Sequence, residues 1–413
     1  MSRYLAYTAP GSGHLYPLIP TLQELRRRGH EVVVRAERDH LPLLHGLGFD
    51  AEAIAPEIEA RPDDTWQART PVGAMRRSVA MFVDRARHEV DDIKRAMKDA
   101  PPDAILIDNN CWGAAAAVQA SGVPWAQAAT FLLPLTTPDA PPFGLGLKPS
   151  RSLPARLRDA VLAKSALPIF DMALPPINAL RRELGLRPVR HVPDLYMLAP
   201  LVLSYTAEPL EYPRTHLPAS VRMVGPADWD PAAGEPEPDW LARMERPVVL
   251  VTISTVFQDD GKLIQTALDA LEDEPYDVVV TTASLDPGRF RRPANVHLER
   301  FVPHSLVLKR ASAVVCHGGM GITQKSLLHG VPVCVVPFGR DQLEVARRVI
   351  EAGAGTRLPV SRLTPDGLRR AVRAAIARKR QAERVGARLR AAGGETAAAG
   401  ALERLLAPEV KTA

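Results

Sequence analysis

The stretch from Ala313 to Gln342 leaves this chain very few folds to choose from. A β-branched run ends at Cys316, and the corner His317-Gly318-Gly319-Met320-Gly321 follows it. The pattern then predicts a helix opening near Ile322 and closing at Gly330. A second apolar run, Val333 to Val336, leads into a polar loop carrying Asp341 and Gln342. Two strands joined by a crossover helix pair in parallel, and parallel sheets are covered by helices on both faces. Ligands of such sheets sit where loops leave the carboxyl ends of the strands. Here one of those loops carries a histidine among glycines, and the next an acid and an amide.

Those residue types suit a particular ligand. Gly318, Gly319 and Gly321 let the backbone turn tightly and approach a ligand closely. The helix behind them offers free N–H groups and the positive end of its dipole, both of which favour an anion. His317 can donate a hydrogen bond to a phosphoryl oxygen whether neutral or charged. Asp341 and Gln342 suit polyol hydroxyls, because a carboxylate accepts two protons and an amide both donates and accepts. Phosphate at one loop and hydroxyls at the next describe a sugar nucleotide.

The amino-terminal half repeats the architecture without repeating the sequence. Tyr4 to Thr8 reads as a strand, followed by the loop Ala9-Pro-Gly11-Ser12-Gly13-His14. A helix opened by Pro17 presents Leu18, Ile19, Leu22 and Leu25 on one face and stops at Gly29, before a strand at Glu31 to Arg35. Gly11 and Gly13 lack the third glycine of a dinucleotide fingerprint, Tyr16 standing in its place, so a nicotinamide or flavin site is rejected. A long helical stretch covers Val72 to Met97, then Asp103 to Asp108 forms a buried strand ending in an acid. The helix Cys111 to Ala120 closes at Gly122, before a strand at Val123 to Gln127. Further on come helices at Ala155 to Leu167 and Ile177 to Leu184, and strands at Val202 to Tyr205 and Arg222 to Gly225.

Pro226 to Pro238, rich in proline and acid, reads as a linker that cannot build a core. Strands then recur at Val248 to Ile253, Asp277 to Thr282 and Asn295 to Leu298, and the chain after Gly355 reads as helical. The fold class is therefore α/β, with two Rossmann-like domains facing across a cleft. The expected division is a first domain at 1–225, a linker at 226–246, a second domain at 247–395 and a terminal helix at 396–413.

His14 and Asp108 both directly follow parallel strands, so they emerge at the same edge of their sheet. A carboxylate bonded to one ring nitrogen fixes the tautomer and raises the basicity of the other nitrogen. That second nitrogen could take a proton from an acceptor hydroxyl as it attacks an anomeric carbon. A single displacement of this kind inverts the anomeric centre and needs no second carboxylate. Ser254 and Thr255 follow the first strand of the second half, where hydroxyls commonly cap a helix.

His317-Gly-Gly-Met-Gly with Gly330-Val-Pro, Pro337 and Asp341-Gln342 resembles the donor signature of family 1 glycosyltransferases, most of all the bacterial natural-product and macrolide tailoring branch with its GT-B fold. Gly13-His14-Leu-Tyr-Pro17-Leu18 matches the family's Gly-His-x-x-Pro-Leu motif, and Asp108 its partner aspartate. The resemblance implies His14 as general base, oriented by Asp108. It implies donor contacts at Gly13, Ser254, Thr255, Phe301, Val302, His317, Gly318, Gly319, Met320, Gly321, Ile322, Asp341 and Gln342. Phe301 would stack on the pyrimidine, and the backbone of Val302 would pair with its edge. The implied reaction is an inverting, metal-independent transfer from a TDP- or UDP-sugar, without a cofactor, to a hydroxyl of a polyketide, macrolide or aromatic aglycone. The terminal helix is expected to cross back onto the first domain.

One position departs from the family. Ile322 stands where a serine or threonine usually meets a phosphate oxygen. Thr323, one residue on, is about 100° round the helix and cannot simply substitute. Either the backbone N–H groups suffice or donor affinity is reduced. Two other readings stay open: a catalytically silent nucleotide-binding partner that activates another transferase, and another GT-B enzyme such as a sugar-nucleotide epimerase. Acceptor contacts are expected from Trp66, Phe82, Phe131, Phe143 and Phe170, scattered through irregular parts of the first domain.

Composition excludes other classes. A net charge of +5 over 413 residues, with Arg26-Arg27-Arg28 and Arg378-Lys379-Arg380 at helix ends, makes no nucleic-acid stripe. The amino terminus lacks the long apolar segment of a signal peptide, and no run is expected to reach the ~18 apolar residues of a membrane span. Three cysteines, Cys111, Cys316 and Cys334, form an odd and sparse set of core residues. A cytoplasmic monomer or homodimer is expected, with no nucleic acid, membrane or metal as partner.

Overall fold

The computed structural model describes residues 1–407, apart from 62, 69, 136, 138, 139, 151, 232–234, 256 and 257. Residues 408–413 of the expected terminal segment, and Ala232, Ala233 and Gly234 of the expected linker, lie outside the described residues. The chain forms two wholly parallel sheets. The first comprises β1 (Arg3–Tyr7), β2 (Glu31–Ala36), β3 (Asp50–Ala53), β4 (Ala104–Asp108), β5 (Trp125–Ala129), β6 (Leu201–Ser204) and β7 (Val221–Met223), in the order β3-β2-β1-β4-β5-β6-β7. The second comprises β8 (Val248–Thr252), β9 (Asp277–Thr281), β10 (Val296–Glu299), β11 (Ala311–Cys316), β12 (Val333–Val335) and β13 (Gly355–Arg357), in the order β10-β9-β8-β11-β12-β13. Central strands such as β4 and β8 are buried along their whole length, as sheets covered on both faces require.

Two strands differ from the sequence reading. β3 and β13 are edge strands with one neighbour each. Asp50-Ala-Glu-Ala and Gly-Thr-Arg carry the polar, half-exposed side chains that an edge tolerates, so neither shows an apolar run. The crossover helix after β11 spans Met320–Leu328, opening two residues before the expected position. One continuous helical stretch among the described residues, Leu153–Glu183, is long and apolar enough by length and composition to cross a membrane, although little of it is buried. This also differs from the expectation, because Lys164 and Asp171 interrupt the run.

Several contacts among the described residues join the two halves. The helix Gly394–Leu406 packs on the first half, burying Ala398, Ala399 and Leu402 beside Leu22 and Val32, with Glu403 bonded to Arg28 and His30. The connecting segment is not a solvated tether. Trp229 packs against the first core, and Asp230 is buried, accepting from Lys325 Nζ and from the Ser305 N–H at 2.7 Å. Across the cleft, the Arg348 guanidinium donates to both Glu211 oxygens at 3.0 and 3.2 Å and to Glu344 at 2.8 Å, and lies 4.1 Å from the Tyr212 ring centre. The other Glu344 oxygen accepts from the Gly144 and Gly146 N–H groups at 2.9 and 2.7 Å.

Removing one member of such a buried cluster leaves uncompensated charge. Replacing Arg348 with methionine strands Glu211 and Glu344 and should lower stability by roughly 3–5 kcal/mol, read from urea denaturation.

Candidate active site

Both sheets place their loops at a reversal of strand order. In the first sheet the chain moves outward from β1 through β2 to β3, then returns to β4 on the other side of β1, with Tyr7 opposite Ile107. In the second, β8 and β11 flank the same kind of reversal, with Thr252 opposite Cys316. Crevices at the carboxyl ends of such strand pairs are where α/β sheets bind ligands. His14 follows β1 and Asp108 ends β4, whereas Ser254 follows β8 and His317 follows β11. Four of the expected residues thus stand at the two crevices.

His14 Nδ1 and Asp108 Oδ2 are 2.9 Å apart. Asp108 has no exposed side-chain surface, while 24% of the His14 side chain is exposed, so the imidazole faces solvent and the carboxylate stands behind it. The other carboxylate oxygen accepts from the Asn110 N–H at 2.8 Å. A carboxylate only accepts, so the proton between the pair belongs to Nδ1 and the lone pair of Nε2 is left free. Burial works against a charge on His14. The Asp108 carboxylate and its hydrogen bond outweigh that and hold the imidazole above the usual histidine range; Arg85 subtracts from the rise, and Asp341, from the other half of the chain, adds to it.

On the second sheet, Gly318 has φ +97° and a Cβ there would lie 2.7 Å from Val335 Cγ1, so the turn admits only glycine. Around Gly321 a Cβ would meet nothing within 4 Å, which leaves open space before the helix N-terminus. His317 is buried, its Nδ1 without a hydrogen-bond partner, and burial with the nearby Arg340 charge pushes it down to about 3. It is a neutral imidazole at physiological pH. Met320 is buried and Ile322 half-buried against the second core, and Thr323 points inward to Cys316 Sγ at 3.8 Å. Thr323 therefore does not replace the missing hydroxyl. The Ser254 N–H donates to Asp260 at 2.9 Å, Thr255 is exposed, and Val302 is buried. Phe301 is 58% exposed, a ring presented with no protein to cover most of it.

Gln342 is bonded within the protein. Its Oε1 accepts from the Phe338 and Gly339 N–H groups at 2.7 and 3.1 Å, and its Nε2 donates to Gln258 at 2.7 Å. Buried and engaged in this way, it shapes the loop that carries Asp341. Asp341 itself makes no cap to its own helix, and burial raises it above the ordinary carboxylate range.

The aromatic residues expected around an acceptor do not form one group. Phe82 and Phe131 join a ring cluster in the first half: Phe82 lies 4.9 Å from Trp112, and Phe131 5.7 Å from Tyr196. Phe170 packs on the same core, and Trp66 stays 42% exposed. Phe143 packs against the second core, next to the Gly144 and Gly146 contacts with Glu344. Sequence reasoning passed over Arg85, Glu89 and Arg340. Arg85, Glu89 and Asp92 are buried charges at i, i+4 and i+7 beside the apolar stripe of Ala86, Val90 and Ile93, and that spacing is the available signal. Arg340, at φ +54°, spans the cleft to Asp63 at 2.9 Å, a contact between distant segments that no local pattern announces. Among the described residues no three His, Cys, Asp or Glu side chains are grouped to hold a metal ion.

Comparison with known proteins decides the family. Residues 265–399 match the erythromycin biosynthesis protein CIII-like C-terminal domain. Over 400 residues, 91% of this chain and 92% of the relative, the sequence is 34% identical to 4'-demethylrebeccamycin synthase of Lentzea aerocolonigenes. The chain belongs to the natural-product glycosyltransferases. The transferase shares its GT-B fold with the kitacinnamycin glycotransferase, at TM-score 0.78 and 23% identity over 98% of this chain and 99% of that one. It shares it also with glycosyltransferase VinC, solved in complex with dTDP, at TM-score 0.69 and 22% identity over 98% and 99%.

The geometry of the transferase's histidine gives a direct check. Titrated by NMR, His14 should show a pKa above that of an ordinary histidine, and Asp108→Asn should lower it, since the amide keeps an acceptor but removes the charge. A His14 pKa at or below the ordinary value in both proteins would contradict the assigned pairing.

Proposed function

We propose that this glycosyltransferase moves a sugar or deoxysugar from a thymidine diphosphate donor, in preference to a uridine one, to a hydroxyl of a small hydrophobic aglycone with inversion. The observation that carries this reading is the His14–Asp108 pair, reachable from the cleft and acted on by Asp341 from the opposite half. His14 Nε2 takes the acceptor proton as the oxygen attacks the anomeric carbon. Asp108 holds the tautomer and stabilises the imidazolium that forms, a role worth roughly 10²–10⁴-fold in rate for general-base catalysis. Asp341 bonds the sugar hydroxyls, with Gln342 fixing its loop.

On the leaving side, the diphosphate sits before the Met320–Leu328 helix, where backbone N–H groups and the helix dipole meet its charge. Neutral His317 donates from one ring nitrogen. Ile322 supplies no hydroxyl, so those backbone groups carry the phosphate contact, and the exposed Phe301 ring stacks on the base. The dTDP found in VinC supports the choice of thymidine. No metal takes part in this reading, and the protein acts in the cytoplasm as a monomer or homodimer.

A silent activator is the second reading, favoured by Ile322 alone. Thermal melts separate the two: thymidine diphosphate at 100 times its dissociation constant should add about 2.7 kcal/mol of stability. Uridine diphosphate at equal concentration should add less. His14→Ala should keep the thymidine diphosphate shift and lose roughly 10²–10⁴-fold in transfer. Equal loss of binding and transfer would remove His14 from the base role. Chelation with EDTA should leave turnover unchanged, and NMR of the product should give the anomer opposite to the donor's.

A further inference from the structure

Arg85 lies on the Pro71–Asp99 helix and is 7% exposed. Its Nη2 donates to the Arg61 carbonyl, its buried Nε has no acceptor, and the guanidinium makes no other hydrogen bond or ion pair among the described residues. Other buried arginines are neutralised: Arg348 by Glu211 and Glu344, Arg35 by Glu52 and Asp92, Arg214 by Glu211. Arg181 is satisfied by the Arg187 carbonyl and the Gln119 amide oxygen. Arg85 has neither arrangement, and a buried charge left unpaired is costly.

The Cys111 thiol and several acids act on it or lie close by, and each acid is otherwise engaged: Asp63 with Arg340 and Thr65, and Glu37 with the Gly11 N–H. Glu89, one turn on, accepts from the Gly113 and Ala114 N–H groups, and burial pushes it up to about 8, so it is largely uncharged at neutral pH. Asp108 is held by His14 and the Asn110 N–H, and Asp92 by the Tyr7 hydroxyl and Arg35. The Arg85 Nη2 reaches the loop after β3, the neighbouring Ala86 carbonyl lies against Gly113, and Glu89 bonds the first turn of the helix that follows Asp108. Arg85 therefore stands at the carboxyl edge of the first sheet, where its charge acts on His14 and Cys111. A ligand anion there would neutralise the guanidinium and relieve its opposition to a proton on His14.

We propose that Arg85 binds an anionic oxygen of the acceptor, so that this transferase takes acidic aglycones whose carboxylate or ionised enol lies close to the hydroxyl that receives the sugar. The inference rests on the glycosyltransferase reading of the cleft. A guanidinium can meet such a group with two parallel N–H bonds, which neither an ester nor an ether reproduces.

Two sets of probes test it: a dihydroxynaphthoic acid with its carboxyl beside a hydroxyl, its methyl ester and its primary amide; and a hydroxynaphthoquinone and its methyl ether. Each is titrated calorimetrically into the full-length protein saturated with thymidine diphosphate, and transfer from TDP-glucose is measured in parallel. Wild type should bind the acid roughly 10- to 100-fold more tightly than the ester, the range that a charged hydrogen bond supplies. Arg85→Gln should lose that preference while keeping its affinity for the ester, and Arg85→Lys should keep part of it. A preference seen only in the quinone pair assigns the anion to an enol instead of a carboxylate. Should Arg85→Gln fail to fold, as its melt would reveal, the wild-type ratio and the lysine variant decide. No preference for either anion in wild type, or one that persists unchanged in Arg85→Gln, overturns the proposal. Preferential binding without transfer would overturn the catalytic reading alone.

Discussion

Right-handed crossovers between parallel strands force all the loops at one sheet edge to serve as either connections or ligand contacts, and that constraint places everything functional here. Because strand order reverses at β1/β4 and again at β8/β11, each sheet opens a crevice at its centre. The residues that follow those four strands are His14, Asn109, Ser254 and His317, with Asp108 closing β4 itself. Helices cover both faces of each sheet and keep the crevices as the places where backbone N–H groups and side chains can meet a ligand.

Polar groups buried near the cleft are organised so that most are spent on one another. Arg348 is enclosed by Glu211, Glu344 and Tyr212, and Glu344 in turn holds the Gly144 to Gly146 loop against the second half. A pair enclosed in this way contributes little net stability, yet loses much if broken, so it fixes the relation of the halves. Asp230 does the same for the connecting segment through Lys325 and Ser305. Against that background Arg85 stands out as a buried cation with no carboxylate bonded to it.

Much of the fold was legible because buried parallel strands need continuous apolar runs, and Ile105-Leu-Ile-Asp108 and Val248-Val-Leu-Val-Thr252 supply them. β3 and β13 were not, since an edge strand with one neighbour needs no such run. His14, Asp108 and the glycine corner could be named from their places after strands. The internal bonds of Gln342 could not be read, because an amide looks the same in sequence whatever it bonds, here the Phe338 and Gly339 N–H groups. The packing of Phe143 against the second core was hidden for a similar reason: an isolated aromatic does not say which core it enters.

The sequence by itself determined the alternation of strand and helix, the two glycine-bearing loops, the histidine and acid at strand ends, and membership of a glycosyltransferase family. Those are local or periodic properties, written in side-chain pattern and backbone freedom. Only the tertiary structure decided the 2.9 Å contact between His14 and Asp108, 94 residues apart, and the influence of the Asp341 charge on His14. It alone decided the pairing of Arg340 with Asp63 and the isolation of Arg85. Partnership between distant charges depends on how two cores pack, and packing is a property of the whole chain that no segment of it contains.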